Sequence, residues 1–191
     1  MADWRRVKWS EARQVLNVLG AREALAEAEA DGLPATYFQH LRDTGRDLEA
    51  VKFLGQALPR LEAVGWAARV VRDLLPETLE RDRPETKALR AALLWLGDPT
   101  ESRRRAAYEA AEASDPASPE ALAALAAFFS GGSIAPEDAT PLPAPRDAAG
   151  RFASGAVMLA AARRSDMAES LKKALDAGAD IAANGLETAN A

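Results

Sequence analysis

Hydrophobic residues recur at intervals of three and four positions through most of the chain, the spacing that places side chains on one face of an α-helix. The clearest example lies between Pro59 and Pro76. Its apolar positions are Leu61, Val64, Ala68, Val71 and Leu75. Trp66 and two further apolar residues widen this stripe, so the pattern predicts a helix in the centre of the fold.

A second wide apolar face is predicted over 47–58, which indicates a helix buried on more than one side. Trp66 and Trp95 lie within strongly periodic helices, and we expect both in the core. Trp4 and Trp9 flank a polar N-terminus. Two roles are open for this pair, an anchor for the N-terminus or a contact with a partner.

Capping residues and prolines divide the chain into short helices. Ser10 is predicted to cap a first helix that Gly20 ends, and residues 21–30 continue as a second helical piece. Asp98 is predicted to cap a later helix with Pro99 in its first position, and Ser118 and Pro119 repeat this arrangement.

The last third of the chain predicts two further helices. One spans 148–163 and is rich in small residues, which permit close packing between helices. The other begins near Met167 and is expected to end near Gly178, before a polar tail. In all, the pattern predicts about nine or ten short helices in a compact bundle or orthogonal array.

Composition supports this all-α class. Alanine supplies 45 of the 191 residues, and β-branched residues are sparse. We expect an N-terminal helical segment at 1–33, a helical domain at 34–183 with a proline-rich loop at 131–147, and a flexible tail at 184–191.

Net charge and cysteine content narrow the classes of function that we expect of this chain. The net charge is −5, which argues against nucleic acid as a partner. Arg103, Arg104 and Arg105 are the one basic cluster, and we interpret them as a solvated helix face. There is no cysteine, no visible secretory signal and no apolar run long enough to cross a membrane, so we expect a cytoplasmic protein without a membrane role.

Catalytic and metal-binding patterns are weak. His40 is the only histidine, and no nucleophile motif accompanies it, so we interpret it as structural or exposed. Two carboxylate pairs at helical spacing, Glu77 with Glu80 and Glu109 with Glu112, are interpreted as solvated faces. We therefore predict a protein that is not an enzyme and that has no catalytic residues, no cofactor and no metal.

The proline-rich loop is the predicted functional surface. It carries Pro136, Pro141, Pro143 and Pro145, whose fixed φ angles make a shaped connector. The turn before it, Ser130-Gly131-Gly132-Ser133, has two open interpretations: a helix C-cap with its following turn, or a backbone cradle for an anion. It lacks the lysine and the preceding strand of a phosphate-binding loop, which favours the first.

Three stretches together resemble an uncharacterised bacterial family, an all-helical domain of unknown function. They lie at 50–67, 95–106 and 127–136. Members of this family are often encoded beside components of type VI secretion systems, such as spike-tip and effector-loading proteins. Gly65 and Phe129 depart from the family pattern, which tends to have an aromatic residue and tryptophan there. The resemblance implies an accessory protein and transfers no catalytic residue.

From these observations we predict a non-enzymatic protein that binds a protein partner, as an adaptor or chaperone-like component of a type VI secretion cluster. The predicted partner-binding residues are Phe129, Ser130, Gly131, Gly132, Ser133, Arg146 and Arg151. The alternative is a small-molecule or anion binder that uses the Ser130–Ser133 turn together with Arg146 or Arg151. The oligomeric state does not follow from the sequence.

Overall fold

A computed structural model describes residues 3–76 and 82–186 of the chain. Within these ranges it contains nine α-helices and no strand, which confirms the predicted all-α fold. The helices are α1 Ala12–Leu19, α2 Pro34–Asp43, α3 Asp47–Ala57, α4 Arg60–Asp73, α5 Pro84–Gly97, α6 Glu101–Glu112, α7 Pro119–Phe128, α8 Ala148–Ala162 and α9 Met167–Asn184. Two short 3-10 turns, Ala24–Ala26 and Ala28–Asp31, connect α1 to α2.

Helices α4, α7 and α8 form the centre of the bundle. α8 packs against α7, α4 and α3, while α5 and α6 cover α7 and α9 lies across α3, α4 and α8. Alanines occupy five of the ten positions of α7 and all five are buried, because a side chain of one carbon lets neighbouring helices approach closely. The largest fully buried side chains are those of Trp66, Tyr37 and Phe53, and Trp95 is also in the core as predicted.

Several predicted helix ends are confirmed. Gly20 ends α1 in the left-handed region, with φ of 69°. Ser118 caps α7: its hydroxyl accepts a hydrogen bond from the Ala121 amide at 3.1 Å, and Pro119 takes the first helical position. Pro34 and Pro84 begin α2 and α5 in the same way.

Other predicted boundaries are wrong. Thr100, not Asp98, caps α6, and its hydroxyl faces the Arg103 amide at 3.4 Å. Asp98 directly follows α5 in an extended conformation, so Pro99 belongs to the connection and not to the helix. Glu11 precedes α1 where Ser10 was expected, and residues 21–30 form 3-10 turns in place of a continuous helix.

Gly178 lies inside α9 and does not end it. A Cβ at this position would be 2.4 Å from Leu54 Cδ2 and 2.8 Å from Trp66 Nε1. The indole of Trp66 also donates a hydrogen bond to the carbonyl oxygen of Ala174 at 2.8 Å. The glycine therefore serves close helix packing, and α9 continues to Asn184.

The N-terminal segment packs onto the helical domain. The Trp4 and Phe38 rings lie 5.0 Å apart, and the Arg6 amide donates to the Ala182 carbonyl oxygen at 2.9 Å. Trp4 is thus an anchor, the first of its two predicted roles. The division at residue 33 stays a prediction, and residues 187–191 of the expected tail lie outside the described residues.

The search for membrane spans covers only the described part of the chain. Among those helices, none has both the length and the apolar character needed to cross a bilayer.

Candidate functional site

The proline-rich loop closes on itself after α7. Ser133 and Pro143 pair in a single antiparallel bridge, and the Ile134 amide donates to the Leu142 carbonyl oxygen at 2.8 Å. The Ser133 hydroxyl accepts hydrogen bonds from the amides of Leu142 and Ala135, at 3.0 and 3.1 Å. These bonds hold the two ends of the loop together and leave its outer residues exposed.

Arg104 fixes the base of this loop. Its side chain is buried, with 4% exposed, and it donates to the carbonyl oxygens of Phe128 and Ser133, the latter at 2.6 Å. The guanidinium also lies 4.6 Å from the centre of the Phe128 ring. Glu101 completes the set with two contacts of 2.7 Å, and these hydrogen bonds from Arg104 lower the pKa of the Glu101 carboxyl.

Two further arginines brace the same segment. Arg105 donates to the Ala135 carbonyl oxygen through both terminal nitrogens at 3.1 Å, and Arg60 donates to the Ser130 carbonyl oxygen at 3.0 Å. The interpretation of residues 103–105 as a solvated face is therefore wrong for Arg104. Helical spacing hid its role, because the carbonyl oxygens it meets come 24 and 29 residues later.

The Ser130–Ser133 turn presents carbonyl oxygens to arginines. Phe129 is the C-cap residue of α7, and the Ser130 hydroxyl donates to the Ala127 carbonyl oxygen at 2.7 Å. Gly132 has φ of 64°, and a Cβ there would be 3.0 Å from Arg104 Nε. Gly131 faces open space. The turn continues directly from the helix end, and anion binding by its amides stays a prediction.

Phe129 and the two arginines of the predicted partner-binding set each have their own contacts. Phe129 is half-buried and stacks on Phe152, with ring centres 4.9 Å apart. Arg146 is exposed at the end of the loop. Arg151 forms an ion pair with Asp147, the residue directly before α8, and faces the Leu19 carbonyl oxygen at 3.4 Å. Arg104 and Arg105, which brace the same segment, are the residues that sequence reasoning missed.

His40 belongs to a cluster of three potential metal ligands. Its two ring nitrogens lie 3.9 Å from carboxylate oxygens of Glu27 and Glu29, and one ligand atom from each residue lies within 4.8 Å of the others. Glu27 is already engaged, since it accepts from Arg46 at 2.9 Å and from the Tyr37 hydroxyl at 3.2 Å. The Arg46 cation competes with a metal there, so we assign no ion to this cluster.

Burial of the Tyr37 hydroxyl beside the Glu27 carboxylate raises the pKa of Tyr37 to about 12. Of the two predicted carboxylate pairs, Glu109 and Glu112 are exposed on α6, as expected of a solvated face. Glu77 and Glu80 lie outside the described residues.

Two cavities flank α3 and the first turns of α8. One has a volume of about 470 Å³, a largely apolar wall, and Arg46, Glu49, Lys52 and Arg151 at its edge. The other, of about 220 Å³, lies between the N-terminal segment, the end of α3 and the start of α8. Arg146 lines this second cavity and Arg151 the first, so the two predicted arginines face different sites.

Comparison with known proteins gives one match. A model described as a family of unknown function (DUF6931) matches residues 37–182, which include most of the helical bundle and the whole proline-rich loop. No curated protein and no solved structure matches the chain.

Proposed function

The chain belongs to the DUF6931 family of unknown function, and we propose that it is a non-enzymatic module that binds a protein partner through its proline-rich loop. The observation that carries the proposal is the way the loop is built. Its base is fixed by Arg104 and Arg105, while Leu142 at its outer side is 55% exposed. A rigid backbone that presents an apolar side chain to solvent needs little ordering when a partner binds.

The exposed residues of the loop indicate what kind of surface a partner needs. Leu142 offers an apolar anchor, flanked by Pro141 and Pro143, neither of which has an amide hydrogen to donate. Glu137 and Asp138 lie exposed in the same loop. A shallow apolar pocket with a basic rim on the partner would complement this surface.

The family resemblance supports a more specific setting. We place the protein in the cytoplasm as an adaptor or chaperone-like component of a type VI secretion cluster, acting on a secretion component or its cargo. In this role the chain supplies binding and no chemistry.

Crosslinking in the native host tests this proposal. A tagged chain expressed from its own locus is expected to capture a secretion component or cargo, and Leu142→Gln is expected to lose it. Leu94→Gln is the matched control, because Leu94 is a leucine of similar exposure, 50%, that belongs to α5 and not to the loop. If neither kind of protein is captured and deletion of the gene leaves secretion intact, the proposal is wrong.

The alternative function is a small-molecule or anion binder at the Ser130–Ser133 turn. The two glycines support it, because they allow successive amides to face one ligand. Titration of the isotope-labelled protein with inorganic phosphate tests it by NMR. Saturable shifts of the Gly131 and Gly132 amides would support this alternative, and unshifted amides there would rule it out.

A further inference from the structure

The smaller of these two cavities, of about 220 Å³, is lined by several positively charged side chains. Lys8, Arg60 and Arg146 line it, together with Trp9, Gln56 and Gly150, and we call these six residues the basic cavity. Among the residues that the structure describes, no carboxylate lines its wall. In a chain with a net charge of −5, three cations without an acidic neighbour form a local positive field.

These cations differ from those of the larger cavity. There, two of the three cations are paired, Arg46 with Glu27 at 2.9 Å and Arg151 with Asp147, and the carboxylate-bearing Glu49 lines the same wall as the third, Lys52. In the basic cavity, Lys8 and Arg146 have no ion pair within the described part of the chain, and Arg60 contacts only the Ser130 carbonyl oxygen. The charges here are consequently available to a ligand.

A buried polar residue, Gln56, lines the same cavity. Gln56 is 8% exposed, and its Oε1 atom has no hydrogen-bond partner within the described residues. A buried acceptor without a partner is costly, and few are found in native proteins. The side-chain amide can also rotate to present its N–H₂ group, so Gln56 is able to accept from a ligand or donate to one.

The start of α8 adds backbone donors. This helix begins at Ala148, whose amide donates to the Pro145 carbonyl oxygen at 3.2 Å, and Gly150 in its first turn lines the cavity. First-turn amides have no partner within their own helix and lie at the positive end of its dipole. A Cβ on Gly150 would lie 2.6 Å from Gln56 Oε1, so only glycine fits here without displacing that side chain.

We propose that the basic cavity binds the phosphate group of a small phosphomonoester. Three cations match the double negative charge of a phosphate better than the single charge of a carboxylate. The volume is below the usual range of drug-sized sites, about 300–1,000 Å³, so a phosphate with a short organic part fills it. The half-buried Trp9 ring forms a wall for that organic part. Arg146 belongs to the end of the proline-rich loop, but the proposed partner contact centres on Leu142, so the phosphate site goes beyond the proposed function.

Calorimetric titration of the full chain tests the site, in Tris-chloride at constant ionic strength, with inorganic phosphate, glycerol 3-phosphate and acetate as probes. We expect both phosphates to bind and acetate to bind at least tenfold more weakly. Arg146→Gln and Lys8→Gln, both at exposed side chains, are each expected to weaken phosphate binding about tenfold, the loss of one charge-assisted contact.

Arg90→Gln is the matched control, because Arg90 is an exposed arginine on α5 that does not line this cavity. Its phosphate affinity is expected to equal that of the unmodified chain. If Arg90→Gln and Arg146→Gln lost phosphate affinity equally, the loss would come from the change in net charge alone, and the proposed site would be wrong. Acetate binding as tight as phosphate, lost in the same variants, would overturn the phosphate assignment.

Gln56→Met gives an independent readout. Methionine has a similar length and no unpaired acceptor, so we expect a higher melting temperature without phosphate and a several-fold weaker phosphate affinity. Opposite changes in stability and binding distinguish a ligand contact from a purely structural residue. A variant that is more stable and binds phosphate as tightly as before would exclude Gln56 from the site and overturn the proposed geometry.

Discussion

Two long connections within the described part of the chain, residues 20–33 and residues 129–147, are held in place by different interactions. Arg104 holds residues 129–147 in place, because its buried side chain donates hydrogen bonds to the backbone carbonyl oxygens of Phe128 and Ser133. Residues 20–33 are held by the carboxylate of Glu27, which accepts hydrogen bonds from the partly exposed Arg46 and from the Tyr37 hydroxyl.

The two arginines differ in how much of the side chain is exposed to water, about a third for Arg46 and 4% for Arg104. Solvent screens the Glu27–Arg46 pair, where about a third of each side chain is exposed, and such pairs contribute little to stability. Arg104 replaces water at carbonyl oxygens that would otherwise be buried without partners, so its removal costs more. We therefore expect the loop after α7 to be the more rigid of the two segments, in keeping with a role in recognition.

Arg104→Met is expected to have the largest effect. It leaves the Phe128 and Ser133 carbonyl oxygens without their donor, and we expect a loss of about 3 kcal/mol in the free energy of unfolding. Urea denaturation measures this loss. Arg103→Met is the control, since the half-buried Arg103 donates to the Leu94 carbonyl oxygen near the surface and should lose under about 1 kcal/mol. Equal losses of unfolding free energy in Arg104→Met and Arg103→Met would contradict the proposed difference between a buried and a partly exposed arginine.

Gly132→Ala should follow in size. A residue with a Cβ is strained at φ of 64°, and the Cβ would also approach Arg104, so we expect about 1–2 kcal/mol of destabilisation. Gly131→Ala, one residue earlier and facing open space, should change stability by less than about 1 kcal/mol in either direction. Thermal unfolding of both variants checks this. If Gly131→Ala were the more damaging, the turn would have another geometry.

Tyr37→Phe tests the other segment. At neutral pH it removes the hydrogen bond to Glu27, and we expect a loss of about 1 kcal/mol. Above pH 10 an unfolded tyrosine releases its proton, whereas burial and Glu27 keep the pKa of Tyr37 at about 12 in the folded protein. Stability from this group is thus present below pH 10 and is lost as the pH rises toward 12.

Chemical denaturation between pH 8 and pH 12 follows this alkaline loss. Tyr37→Phe should lessen it, and Tyr108→Phe, at the exposed tyrosine of α6, should leave it unchanged. The same alkaline slope in both variants would contradict the assignment to Tyr37.

High salt should have the smallest effect and separates the two segments directly. In 1 M sodium chloride the screening length falls to about 3 Å, which weakens the partly exposed Glu27–Arg46 pair. We expect amide hydrogen exchange at residues 24–31 to rise about twofold, while the amides of Ile134 and Leu142 stay unchanged. Faster exchange at Ile134 and Leu142 alone would reverse the comparison.

Local sequence signals were sufficient for much of the fold. The proline start of α7, the Ser118 cap and the helix end at Gly20 depend only on residues within one helical turn, and all were predicted. The signals failed where two local rules competed. Asp98 and Thr100 are both good capping residues, and the choice between them depended on where α5 ended.

The site was only partly predictable. The proline-rich loop was recognised from its composition, but the residues that hold it were not. Arg104 has the same neighbours in sequence as a solvated arginine, and nothing within four residues of it distinguishes it from Arg103. Likewise, the basic cavity joins Lys8, Gln56 and Arg146, which are far apart in the chain.

The sequence by itself thus determined the class of the protein, since alanine-rich periodic segments with proline starts favour helix at each position independently. The tertiary structure alone decided which polar groups are buried. Gly178 became a packing contact because Trp66 lies against it, and Arg104 became a brace because two carbonyl oxygens reach it from the next helix and loop. The physical reason is that helix formation depends on near neighbours, whereas desolvation depends on whatever the folded chain brings together.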